Sequence, residues 1–370
     1  VVHVVTGSKT GSCSPSIETV SMLKRQYGER IVVVVDACQL RSDAQNIVEY
    51  AGLGFVTLVT GSKFYCGPPF SGAVLFPPAA LAELASGLEH LPAGFDDYFA
   101  RHQVDPKYSA LRSRLPEWEN RGLLLRWASA LTNMEAVKSI PKENLESFVR
   151  RWVADVRDSV HTRWPYLSLL PDQGGVPPGR AMGGINTVVA LVVRVPASSE
   201  GPDGNPEVAL GYDDLRLFHR LLSEDISKLL PQDVAVGERA LARLRVLFGQ
   251  PVKLGGARFG VVRIALGADM LIDAFCSGSP ATYGHTNADA ESNALRRLLA
   301  QDRLAVDKCC LMAKHWQYLK AAATGTPPAD PVQTKKAASV EALTTLIQKM
   351  GKDELRFLET LLEARQGELQ

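Results

Sequence analysis

Three short runs of β-branched residues constrain this chain more than any other feature. VVHVV opens it, IVVVV occupies 31–35, and GFVTLVT occupies 54–60. Each run is strand-length and nearly unbroken in apolar character, as in parallel strands covered on both faces. Between the first two lies Ile17 to Gly28, with Val20, Leu23 and Tyr27 at helical spacing. Ser14-Pro15-Ser16 just before it supplies capping groups and a proline suited to a helix start. Between the second and third runs, Ala44 to Ala51 reads as a short helix. AVLFP, after the turn GPPFSG, reads as one more strand. Strand, helix, strand, helix, strand predicts an α/β layer with a mostly parallel sheet flanked by helices.

The rest of the chain predicts a second unit. Gly122 to Trp164 is helix-rich, with a break near Pro141, and the Gly- and Pro-rich PDQGGVPPGRAMGG follows at 171–184. Thr187–Val195, Val246–Leu254 and Phe259–Leu266 read as strands. Asp213–Leu230 and Ala288–Lys320 read as helices. The layout divides into an α/β unit over 1–120, a helical connection over 121–175 and a smaller α+β domain over 176–320. A linker over 321–338 and an amphipathic, charged helix over 339–370 complete it.

Composition excludes several classes of function. The 370 residues carry a formal net charge of +1, which gives no electrostatic case for nucleic acid or an anionic membrane. No apolar run approaches a membrane span. The six cysteines form no CxxC pair and no zinc-spaced cluster with histidine, so reduced thiols in the cytoplasm are expected and no metal site. The chain opens inside a strand, which leads us to expect a further N-terminal portion before Val1.

Val-Thr-Gly-Ser-Lys occurs twice, at 5–9 and 59–63, each time after an apolar run. Neither copy has the glycine and lysine spacing of a phosphate loop. The second has company: Asp36 ends the IVVVV run, and Gln39 follows in DACQ. Adjacent parallel strands deliver their C-terminal ends to one crevice, so Asp36 and Lys63 meet at one rim. A buried Asp36–Lys63 ion pair is the bland alternative.

VVVVDACQ followed by LVTGSKFYCGPPFSGAVLF resembles the cofactor segment of class V aminotransferase-like enzymes. These are fold type I enzymes dependent on pyridoxal 5′-phosphate (PLP). The resemblance implies that residues 1–120 are the C-terminal part of a PLP-binding large domain. It makes Lys63 the lysine that forms a Schiff base with PLP. It pairs Asp36 with the pyridine nitrogen, sets Gln39 near the phenolic oxygen, and has Thr60 and Ser62 donate hydroxyls to the phosphate. Gly61 would then allow close backbone approach to that phosphate. By position in the first copy, Ser8 would lie nearest the cofactor or substrate, with Lys9 a solvated loop lysine. His3 reads as a satisfied core histidine. FGVVRIALG resembles the family's small-domain strand, in which Arg263 would hold a substrate carboxylate through its planar fork, with Arg258 as the competitor.

The resemblance covers about residues 1–80 and, more weakly, 180–300. It implies a homodimer acting on an amino acid or small amino compound, by transamination. Elimination by a lyase, a desulfurase using Cys276 or Cys66, and a non-catalytic binding or scaffold relative are the alternatives. The family's ring-stacking residue and its Gly/Ser/Thr-rich phosphate loop lie before the region matched here.

Overall fold

A computed structural model of the chain describes residues 1–41, 44–78, 80–81, 92–170, 187–197, 207–275 and 288–325. The first unit is built from β1 (Val2–Val5), α1 (Ile17–Tyr27), β2 (Val33–Asp36), α2 (Ala44–Gly52), β3 (Val56–Thr60) and β4 (Gly72–Leu75). The sheet order is β1-β2-β3-β4. The first three strands are parallel, with Val5 opposite Asp36 and Asp36 opposite Leu58. β4 runs antiparallel to β3. The sequence left the direction of this strand open. A parallel return needs a crossover of a dozen or more residues, usually helical, whereas the link here is the short loop 61–71. The fold is α/β with a mostly parallel sheet.

α1 starts where the sequence places its cap. Ser16 accepts a hydrogen bond from the Thr19 amide, and Gly28 closes the helix at positive φ. Val20 of α1 and Tyr50 of α2 join Val4, Val33, Val35 and Val59 in one buried cluster. The other face of the sheet carries His3, Val34, Asp36, Val56 and Leu58, all partly or largely exposed. Among the described residues, α1 and α2 cover one face of these strands and leave the other partly exposed. The order β1-β2-β3 advances in one direction, so two right-handed crossovers place both helices on the same side. His3, expected in the core, stands on the open face with its side chain 55% exposed.

Two short helices, α3 (Phe95–Tyr98) and α4 (Ser109–Ser113), lead to α5 (Arg121–Ser139) and α6 (Lys142–His161), which flank Pro141. The second sheet contains β5 (Leu167–Leu169), β6 (Val188–Pro196), β7 (Glu207–Ala209), β8 (Gly249–Lys253) and β9 (Gly260–Ala265). It is antiparallel throughout, in the order β5-β6-β9-β8, with β7 on β6. Its helices are α7 (Tyr212–Leu222), α8 (Val236–Ala242), α9 (Ala268–Phe275), α10 (Ala288–Lys314) and α11 (Trp316–Thr324). Phe148, Trp152 and Val156 of α6 bury against this unit, so the helical connection shares its core.

α7 ends at Leu222, earlier than the pattern to Leu230 predicts. The ammonium of Lys308, wholly buried on α10, accounts for the stop. It donates to the carbonyls of Leu222 (2.9 Å), Glu224 (2.7 Å) and Leu244 and so takes the end of the helix. The predicted helix 288–320 breaks at His315 into α10 and α11. The linker expected over 321–338 begins inside α11, which runs on to Thr324; the rest of it, the terminal helix expected over 339–370 and the loop 171–184 fall outside the described residues. Among the described residues no helix is long and apolar enough to cross a membrane.

Candidate active site at the seam of the two units

The C-terminal ends of β1, β2 and β3 release three loops at one rim. The first, Thr6 to Cys13, is tied to the second: the Thr6 amide donates to the Asp36 carbonyl at 2.9 Å. A side chain at Gly7, where φ is +70°, would stand 3.7 Å from the Gln39 Cβ. The second loop is tied to the third, because the Thr60 hydroxyl donates to the Cys38 carbonyl at 2.9 Å. Leu40 adopts φ 49° inside the second loop. A left-handed branched residue is uncommon, and the turn it makes separates Gln39 from Arg41.

Each loop is also bonded to the second unit. Arg263 Nη1 on β9 donates to the Lys9 carbonyl at 3.1 Å. Arg41 Nη1 donates to the Leu266 carbonyl at 2.7 Å and to the Thr187 hydroxyl. The Ala268 amide donates to the Phe64 carbonyl at 2.8 Å, and the Cys66 thiol donates to Asp269 Oδ1 at 3.3 Å. The rim is therefore closed by the second unit.

The third loop is held from α5 as well. Asn133 Nδ2 donates to the Tyr65 carbonyl at 2.7 Å. A Cβ at Gly61 would lie 2.4 Å from the Ala130 Cβ, and one at Gly67 2.8 Å from it. The close approach that Gly61 permits is thus to a helix; the resemblance had assigned it to a phosphate. Phe64 is fully buried in the core of the second unit, and a buried phenyl ring contributes on the order of 2–3 kcal/mol. Phe64 anchors the loop, and Lys63 beside it is exposed.

Asp36 sits across the rim with its side chain 33% exposed on the open sheet face. Its Oδ1 accepts the Cys38 amide at 3.0 Å, and its Oδ2 lies 4.0 Å from His3 Nε2. The buried Asp36–Lys63 ion pair does not form, since Lys63 is exposed and no salt bridge joins the two. Both still act on one group. The Cys38 thiol is pushed up to about 11, chiefly by burial, then by its hydrogen bond to Asp36 and by the Asp36 charge, with the Lys63 charge opposing.

The other expected residues have defined places. Gln39 and Ser62 are half-buried on their loops. The Thr60 hydroxyl is engaged by Cys38, as above. Ser8 Oγ accepts the amides of Thr10 (3.3 Å) and Ser12 (3.0 Å), so it braces its own loop. Arg258 is exposed in the turn before β9. Cys276 lies outside the described residues. Burial also raises the Cys66 thiol, which works against a thiolate nucleophile there. Among the described residues, no three His, Cys, Asp or Glu side chains cluster as a metal site would require.

Two residues were not assigned to the rim from the sequence. His3 shares the sheet face of Asp36, because His3 pairs with Val34 and Asp36 lies two residues on. That strand register could have flagged it. Arg41 follows Gln39 by two residues, and the only signal was a cation immediately beyond the DACQ motif.

No protein-family model matches the chain, and no curated protein matches it. Among solved structures, the chain is similar to the apo crystal structure of mouse CSAD, at 12% sequence identity and a TM-score of 0.42. The match covers 82% of this chain and 51% of that one, so the chain spans about half the length of this neighbour.

Proposed function

We propose that this rim is the cofactor end of a PLP-dependent enzyme site acting on an amino acid or small amino compound. The observation that carries the reading is that Asp36 and Lys63 leave adjacent parallel strands at one rim, on loops tied by the Thr60–Cys38 hydrogen bond, with no ion pair between them. The donor set fits the group: an exposed primary amine on an anchored loop and a partly exposed carboxylate. When bound, PLP supplies an electron sink for charge developing at the substrate α-carbon. Lys63 would be the residue that holds the cofactor through its amine, and its Nζ would be the base placed to move the proton of the substrate α-carbon. Asp36 would hold the cofactor at its ring nitrogen, where a carboxylate keeps a proton through a charge-assisted pair. Arg263 orients the substrate carboxylate.

Transamination is the reaction we assign; burial raises the Cys66 thiol, which counts against that cysteine as the nucleophile of a desulfurase. We further propose a homodimer, in keeping with the exposed leucines 124, 125 and 131 of α5.

The test is to incubate the chain with PLP, reduce with borohydride and map the adduct by mass spectrometry. A visible absorbance band together with a pyridoxyl group on Lys63 is expected, both lost in Lys63→Ala. No band, or a band that survives Lys63→Ala, would refute the reading and favour a binding or scaffold relative. Amino transfer to an added 2-keto acid separates transamination from elimination, which needs no acceptor.

A further inference from the structure

Arg41 and Arg263 reach the same seam from opposite units, and neither has an acidic partner among the described residues. Arg41 Nη1 is fixed by the Leu266 carbonyl, one residue past β9, and by Thr187. Its guanidinium lies over the Phe64 ring, 5.1 Å from the centroid. Arg41 Nε is buried without a hydrogen-bond partner. Such an orphaned donor is costly unless something else accepts from it. Asp269, the acid on α9, accepts from the Cys66 thiol. Arg263, on β9 itself, spends Nη1 on the Lys9 carbonyl and Nε on the Gln250 carbonyl at 3.3 Å. Gly249, across the strand pair, makes room for it: a Cβ there would stand 2.8 Å from Arg263 Nε and 2.9 Å from Cγ. Burial and the charge of Arg263 lower Arg41 to about 10, and burial lowers Arg263, so each cation sits in an unfavourable field.

We propose that Arg41 and Arg263 form a two-guanidinium anion site, and that the substrate is an amino compound carrying two acidic groups, one for each arginine. The assignment of the site to substrate rests on the PLP reading, and Arg41 is its added specificity residue. Guanidinium forks match carboxylates bidentately, and two of them facing one seam discriminate a diacid from a monoacid.

The experiment is calorimetric titration of the full chain, without PLP and at low ionic strength, with succinate, propionate and inorganic phosphate. Succinate should bind at least tenfold tighter than propionate. Arg41→Lys and Arg263→Lys should each lose tenfold or more, since lysine keeps the charge and lacks the fork. Gly249→Ala, which displaces the Arg263 stem and keeps both cations, should also weaken succinate. Equal affinity for succinate and propionate, or succinate binding untouched by Arg41→Lys, would overturn the proposal. So would tight phosphate binding without preference for succinate. If Arg41→Lys does not fold, the wild-type comparison and Arg263→Lys still decide. The PLP band is scored separately. A band without succinate preference removes this proposal alone, and succinate preference without a band keeps the two-arginine anion site and removes the PLP reading together with the site's assignment to substrate.

Discussion

Asp302 offers a stability prediction with a definite sign. Its Oδ2 accepts the indole N–H of the buried Trp152 at 2.7 Å. Burial first, and the Asp155 charge after it, raise its carboxyl from an ordinary 3.8 to about 6, with the Trp152 bond pulling the other way. Between these values the folded chain holds a proton that the unfolded chain has released. Stability therefore falls as pH rises through this window, and the cost is fully present above about 6. A gap of about two pH units, at ~1.4 kcal/mol each, caps the cost at about 3 kcal/mol. Asp302→Asn removes the charge and leaves an oxygen for Trp152. At pH 7.5 the variant should be more stable by about 1–3 kcal/mol, a rise in Tm of several degrees. At pH 4 the two proteins should melt together. Circular dichroism melts at pH 4, 5, 6 and 7.5 give the difference directly. A difference independent of pH, or a variant less stable at pH 7.5, would show that the carboxyl does not carry this burden.

Two further changes probe the scaffold. Lys308→Met strips the donor from three carbonyls and should cost about 3 kcal/mol, read as a lower denaturant midpoint with an unchanged slope. An unchanged midpoint would mean that these carbonyls find other partners. Gly61→Ala drives a methyl into Ala130 and should destabilise by on the order of 2 kcal/mol, with recovery when Ala130→Gly is added. Absence of that recovery would place the strain elsewhere.

The first sheet was largely legible because β-branched runs separated by helical-period segments admit few other folds. The direction of β4 depended on what its loop lacked, a helix long enough to cross the sheet. One-sided cover was hidden because it follows from strand order, which composition does not encode. That is why His3, flanked by valines, read as core. That Asp36 and Lys63 leave the same rim was legible because they follow neighbouring parallel strands. Arg41 was not, since its partners Thr187 and Leu266 lie 146 and 225 residues away. The early end of α7 was hidden for the same reason, its cap arriving from a lysine 86 residues on.

The anchoring of the Lys63 loop has a consequence for dissection of the chain. Phe64, Tyr65 and Cys66 take their partners from α5, α9 and the core of the second unit. The amine is thus aimed by residues that its own sheet does not contain. A fragment ending after β4 would keep the strands that carry Asp36 and Lys63 and lose the parts that set the distance between them. Expressed alone, it would be a sheet bearing a surface lysine, and adding the remainder in trans should restore the register of that lysine without altering a residue of the first unit.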